Sequence, residues 1–174
     1  SHANVVLTCK AYQDAFPQDE HDERMAFLPL CHIAERVGGE YHSIYSGAVL
    51  NFVENPETVP ENVREIAPTV FTAVPRVWEK FYSGVLIGLK QAGEVQQLAY
   101  KLAIGIGLRR ARLREEGKPV PVWLDAAFGL ARLLVLNNVR KLIGVHRAKV
   151  LITGAAPISP ELIRWYMALG LEMF

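Results

Sequence analysis

Lys149-Val150-Leu151-Ile152-Thr153-Gly154-Ala155-Ala156-Pro157-Ile158-Ser159-Pro160-Glu161 decides the fold class. Lys149 to Thr153 reads as a buried strand, closed by Gly154. A tight turn of small residues follows, and then a helix start. Ser159 caps, Pro160 fits the first helical position and Glu161 faces the positive helix end.

The same alternation recurs outward from this segment. Met25 to Leu30, Val49 to Val53 and Thr69 to Val74 read as three further buried strands, the last ended by Pro75. Between them lie helix candidates at about 33–46, from Thr58 onward and from about Arg76 onward. Thr58 and Glu61, three apart with Pro60 between them, resemble a capping box. Strand–helix alternation of this kind predicts an α/β fold, a mostly parallel sheet layer flanked by helices.

Residues 76–143 break the rhythm. Val95, Leu98, Ala99, Leu102, Ile106 and Leu113 recur at helical spacing, and four arginines (109, 110, 112 and 114) crowd the end of that stretch. Glu116-Gly117-Lys118-Pro119 ends it. Trp123, Ala126, Leu130, Leu133 and Asn137 mark a second amphipathic helix. The pair predicts a helical hairpin inserted into the α/β domain. Its apolar stripes either pack onto that domain or lie on an anionic membrane surface.

At 174 residues, 51% hydrophobic and 21% charged, the chain suits one folded unit or part of a larger one. No apolar run in the sequence approaches the ~20 residues that span a bilayer, and the first residues do not read as a signal peptide. Cys9 and Cys31 have no metal-ligand spacing and read as free thiols in a reducing cytoplasm. The net charge of +1 conceals a split: residues 1–79 hold five Lys/Arg against twelve Asp/Glu, and residues 80–174 hold fourteen against six. That split fits a basic surface meeting a membrane or a phosphate-bearing ligand, and equally two solvated faces of opposite sign. Both ends read as cut. Ser1 opens into a helix-like run, and Leu171 to Phe174 read as the start of a buried strand.

Few residues signal chemistry by themselves. There is no glycine-rich phosphate loop, no nucleophile elbow and no histidine pair at metal spacing. His32 follows a strand end, where open parallel sheets bind ligands, and an imidazole there can orient a carboxylate. It can equally cap the helix that follows. The Gly154–Pro157 turn lets a flat ring or phosphate approach the backbone, but many strand-to-helix turns use such residues only to turn.

Order and spacing add more. Leu28-Pro29-Leu30-Cys31-His32-Ile33-Ala34-Glu35-Arg36, then Phe71-Thr72-Ala73-Val74-Pro75-Arg76-Val77-Trp78-Glu79-Lys80, then Leu151 to Glu161 together resemble the long-chain fatty acyl-CoA synthetases of the adenylate-forming superfamily. Ser1-His2-Ala3-Asn4-Val5 looks like the helix after that family's phosphate loop, and the resemblance covers essentially the whole chain.

The resemblance implies that residues 1–174 are an internal piece of the AMP-binding N-terminal domain, with the helical insertion at about 76–143. The family joins a fatty acid to coenzyme A through an acyl-adenylate, using ATP and Mg²⁺. By similarity His32 lies beside the acyl carboxylate, Arg36 lines or gates the acyl channel, and Val74 and Pro75 lie near the pocket wall. Gly154, Ala155, Ala156 and Pro157 match the turn against adenine. No catalytic side chain and no metal ligand is assigned, since the motifs that supply them in the family fall outside the chain. The expectations are therefore an inactive piece of a cytoplasmic ligase, peripheral at the inner face of the membrane, with fatty acid, ATP and CoA as partners, no nucleic acid, and self-association through exposed apolar edges. Two alternatives stay open: a ligase for another carboxylic acid or one that stops at the acyl-adenylate, and a non-catalytic membrane-docking module.

Overall fold

The computed structural model describes all residues, 1–174. Helix α1 (His2–Ala15), capped by the Ser1 hydroxyl, leads to strand β1 (Glu23–Ala26). Residues 33–46 form one continuous helix in three parts: α2 (Ile33–Glu35), a π-helical turn (Arg36–Tyr41) and α3 (His42–Ser46). Gly47, at φ 81°, ends it in the left-handed conformation that glycine adopts freely. Strand β2 (Val49–Phe52), α4 (Val59–Ile66) and β3 (Val70–Ala73) follow.

The helical half comprises α5 (Pro75–Gln91), α6 (Glu94–Glu115), α7 (Val122–Ala131) and α8 (Asn137–Leu142). A second π-helical turn (Arg132–Leu136) joins the last two. Strand β4 (Val150–Thr153) and α9 (Pro160–Ala168) close the chain, with Ser159 Oγ accepting from Glu161 N as the cap.

All strand pairs are parallel, in two pairs. β1 pairs with β2 from Glu23↔Val49 to Ala26↔Phe52, and β3 with β4 from Val70↔Val150 to Ala73↔Thr153. The two pairs meet where β1 and β3 begin: Thr69 N donates to Glu23 O at 2.9 Å. The buried Asp22 carboxylate accepts from Thr69 Oγ1 at 2.7 Å and pairs with Lys149 Nζ at 2.9 Å. On the far side of β4, Met173 makes a single isolated parallel bridge with Leu151.

The core lies between the β3–β4 pair and the helices. Phe71, Leu151, Trp78 and Tyr166 are wholly buried, and the Tyr166 hydroxyl donates to Trp78 O at 2.9 Å. Trp165 Nε1 donates to Tyr100 Oη at 2.8 Å, tying α9 to α6.

The α/β class and parallel pairing are as expected, and four local expectations change. The first strand covers Glu23–Ala26, not Met25 to Leu30. The N–H groups of Phe27 and Leu28 donate to Glu35 Oε2, at 3.3 and 3.1 Å, and so leave the ladder. Thr58 forms no capping box. Its hydroxyl donates back to Asn55 O, and Asn55 caps a 3₁₀ turn (Pro56–Thr58) ahead of α4.

The third change concerns the hairpin. α6 and α7 do pack together, but their apolar stripes face outward: Val95, Leu98, Leu102, Trp123, Leu130 and Leu133 are all exposed. α6 instead buries Tyr100, Ala103, Gly107 and Ala111. A Cβ on Gly107 would collide with the Ala168 carbonyl of α9. Close backbone approach over small residues thus outweighs burial of the larger stripe.

The fourth is length. Two helices and the turn between them run unbroken for 21 residues from Val122 to Leu142, with an 18-residue stretch of mean hydropathy 1.3, long and apolar enough to cross a membrane by length and composition. The sequence shows no such run because Asp125, Arg132, Arg140 and Lys141 interrupt it. Leu124, Phe128, Leu136 and Val139 on this helix are buried against the rest of the chain.

Candidate functional site

Three strands carry their C-terminal halves to one cavity of about 440 Å³. Met25 of β1, Thr72 of β3 and Ile152 of β4 reach it, the last two being register partners on one sheet face. α1 covers one side, and the helix after β1 covers another with Ile33, Val37, Gly38 and Gly39. The volume lies within the roughly 300–1,000 Å³ typical of small-molecule sites. Its position outside the carboxyl ends of parallel strands is where such sheets bind ligands.

Two buried charges sit in the wall with their polar ends engaged. Arg24 Nη1 donates to Gln18 Oε1 and meets His42 Nδ1, both at 3.1 Å, while its guanidinium lies over the Tyr12 ring. His42 is wholly buried, and burial together with the Arg24 charge pushes its pKa down to about 4, leaving it neutral. Glu35 is held by the Phe27 and Leu28 N–H groups. Burial pushes its carboxyl up, partly countered by those two donors and by the Arg24 charge. The Thr72 hydroxyl is buried with no hydrogen-bond partner.

The expected site residues fall into three places, and none of them lines this cavity. His32 is exposed at the N-cap of α2, where Nδ1 accepts from Ala34 N at 3.2 Å, so it does cap the helix. Arg36 Nε donates to Leu30 O at 2.9 Å and Nη1 pairs with Glu40 at 2.9 Å, bracing the loop that carries His32. Val74 is the N-cap of α5 and Pro75 its buried first residue, directly after β3.

Gly154 to Pro157 form an exposed turn directly after β4, with Ala155 at φ 67°. Because Ala73 and Thr153 are register partners, Val74 and Gly154 leave the sheet side by side. That brings the third and fourth strand ends together as one ledge. A Cβ on Gly154 would meet nothing within 4 Å, so the ledge is open to a flat ring. No group of three or more His, Cys, Asp or Glu side chains is placed to hold a metal ion. The residues present therefore do not fit an Mg²⁺ site of their own.

Sequence reasoning missed Arg24, Glu35, His42 and Thr72. Their partners lie on other elements, so no local pattern marks them. Gly38-Gly39, a glycine pair inside a helical stretch, was the one available signal.

The fold and this strand-end cavity define a class: the chain belongs to the AMP-binding enzyme family, whose model matches residues 1–173. Among its relatives, the long-chain-fatty-acid–CoA ligase ACSBG2 of Gallus gallus is 31% identical over 182 aligned residues, covering 100% of this chain and 23% of that protein. The human ACSBG2, also a long-chain-fatty-acid–CoA ligase, is 27% identical, covering 99% of this chain and 26% of its own length. The chain thus spans about a quarter of these two relatives. Among solved structures, the A domain of the carboxylic acid reductase from Segniliparus rugosus, in complex with AMP and a co-purified carboxylic acid, aligns with a TM-score of 0.48 at 19% identity. That alignment covers 87% of this chain and 20% of the other. The chain is thus part of an adenylate-forming family that includes fatty-acid–CoA ligases among its homologues.

Proposed function

We propose that residues 1–174 form part of the acyl- and nucleotide-binding domain of an ATP-dependent long-chain fatty acid–CoA ligase. The observation that carries this is the apolar cavity at the ends of β1, β3 and β4, beside the open Gly154 ledge. In that reaction a fatty acid carboxylate displaces pyrophosphate from the α-phosphate of ATP, and the thiol of CoA then displaces AMP from the acyl-adenylate.

Each part of the chain has a task in this scheme. Met25, Leu28, Ile33, Val37 and Ile152 take the alkyl chain out of water. Thr72 lines the cavity and has a buried hydroxyl with no partner in the protein, and the Gly154–Pro157 turn receives the adenine. With Nδ1 of His32 accepting from the backbone, the neutral ring carries its proton on Nε2 and can donate to an acid oxygen. Positioning and electrostatics dominate such chemistry, and no protein nucleophile is required. Mg²⁺ and CoA belong to the proposal for the longer protein, and the chain alone is proposed to be inactive.

The test is fatty-acid-dependent ATP–pyrophosphate exchange by a protein of the relatives' length that carries this segment. Exchange with long acyl chains that collapses on altering the Gly154 turn supports the proposal. A folded, ATP-binding protein that exchanges with no carboxylate overturns it. AMP formation by the 174-residue chain alone refutes its inactivity.

A second reading is favoured by the outward stripes on α6 and α7, where Arg109 lies over the Trp123 ring 5.2 Å from its centroid. Cations beside exposed apolar and aromatic residues suit an anionic bilayer surface. This gives a cytoplasmic protein peripheral at the inner face of the membrane. Sedimentation with anionic and neutral liposomes tests it, and binding indifferent to lipid charge and salt rejects it.

A further inference from the structure

We propose that Gly38 sets the length of acyl chain that the cavity accepts. This rests on the assignment of the cavity to the acyl chain made above, and it names the residue that gauges the chain.

Gly38 and Gly39 are adjacent in the π-helical turn (Arg36–Tyr41), and both line the cavity. Their missing side chains have opposite reasons. At Gly39 the space is filled, because the Glu35 carboxylate lies where a Cβ would be. At Gly38 a Cβ would meet no atom within 4 Å, and its backbone is not in the left-handed region.

Neither packing nor backbone conformation therefore demands glycine at 38. Glycine inside a helix costs about 1 kcal/mol relative to alanine. What the missing side chain leaves is room in the wall of a cavity that Ile33 and Val37 of the helix and Thr72 and Ile152 of the sheet also line. A side chain at 38 has that space to enter, and each methyl or methylene it adds displaces about one methylene of the ligand. An acyl methylene kept out of an apolar site costs about fourfold in affinity.

The experiment is isothermal titration of the 174-residue chain with saturated fatty acids of rising length, below their micelle concentrations. Wild-type protein is compared with Gly38→Ala, Gly38→Val and Gly38→Leu, all checked for helix content. Affinity of the wild type is expected to climb with chain length and then level off. In the variants the levelling moves to shorter acids in the order Ala, Val, Leu. The longest acids lose about fourfold per excluded methylene, and the shortest bind as before. Folded variants with the wild-type length profile overturn the proposal.

A wild-type chain that binds no fatty acid of any length overturns the acyl assignment itself. The two failures are thereby distinct. Should Gly38→Leu not fold, Gly38→Cys in a Cys31→Ser background is alkylated after folding with reagents of rising length. Cys9 is buried and Cys31 exposed, so the label is directed to residue 38. The same progressive shift supports the proposal, and an unmoved profile rejects it.

Discussion

Glu35 and Gly39 share one volume: the Glu35 carboxylate occupies the space that a side chain at position 39 would need. The same carboxylate accepts from Phe27 N and Leu28 N, so it links the end of β1 to the helix that follows. Gly39→Ala should therefore cost about 1–3 kcal/mol, the usual scale for overpacking. Glu35→Ala should cost about 1–3 kcal/mol by leaving two N–H groups without an acceptor. The second substitution removes the obstacle to the first, so in the Glu35→Ala background Gly39→Ala should be neutral or stabilising. Urea unfolding of the four proteins measures the coupling, and simple additivity would refute the shared volume.

His42 makes stability depend on pH. Its folded pKa of about 4 lies below its ordinary value of 6.5, so the unfolded chain binds more protons between those limits. Its contribution is complete above pH 6.5 and is lost as pH falls toward 4, in total about 3 kcal/mol. Glu35 acts oppositely. Its pKa is raised, so its contribution is present below its ordinary value of 4.5 and is lost as pH rises through the folded value. The difference between wild type and His42→Asn isolates the histidine. That difference should grow with pH from 4 to 6.5 in favour of the wild type, and a difference constant with pH would sink the assignment.

Asp22 governs the more acid limb. Burial pushes its carboxyl up, but hydrogen bonds from Lys149, Thr69 and the Asp19 backbone, with the Lys149 charge, hold it below 3.8. A depressed carboxylate stabilises above its ordinary pKa, and that stability disappears as pH falls through the folded value. Asp22→Ala should cost about 1–3 kcal/mol at pH 7, because Thr69 and the Asp19 N–H lose an acceptor. Lys149 is half exposed, so Lys149→Met should cost only about 1 kcal/mol. Thermal melts at pH 7 and below pH 3.8 should show both penalties shrinking in acid.

The hairpin predicts an inversion of the usual rule for large apolar residues. Leu98→Ser, Leu102→Ser and Leu133→Ser alter exposed positions and should change stability by no more than about 0.5 kcal/mol each. Gly107→Ala, a far smaller change, drives a methyl into the Ala168 carbonyl and should cost about 1–3 kcal/mol. Equal losses from both kinds of substitution would show that the stripes are buried after all.

These cases also show what is legible in residues alone. The β4–turn–α9 segment is readable because its signals are local: a short apolar run, small turn residues, and Ser159 and Pro160 at the helix start. His32 as a helix cap follows from its neighbour two residues on. The end of β1 is not readable, because the acceptor for Leu28 N belongs to a residue seven positions later. Periodicity marks two faces on α6 but does not say which one meets α9. Only the contact of Gly107 with Ala168 decides that. Arg24 and His42, 18 residues apart, meet only after β1 and the helix at residues 33–46 have packed. The expected site residues follow from strand ends and motifs. The cavity beside them is built largely from side chains of separate elements, whose meeting no motif records.

The π-helical turn (Arg36–Tyr41) has a consequence for how this wall can vary. A wide turn holds one residue more than the α-helix it interrupts. Losing a single residue there would restore regular winding and leave Ile33 and His42 in nearly the same angular relation, because the wide turn already absorbs the extra residue. Substitution at Gly38 trims the cavity by methyl groups, whereas a one-residue deletion would take the bulge itself out of the wall while keeping the same helix face toward the cavity. Length variation within this turn is thus a second way to reshape what the protein can hold, alongside side-chain size at Gly38.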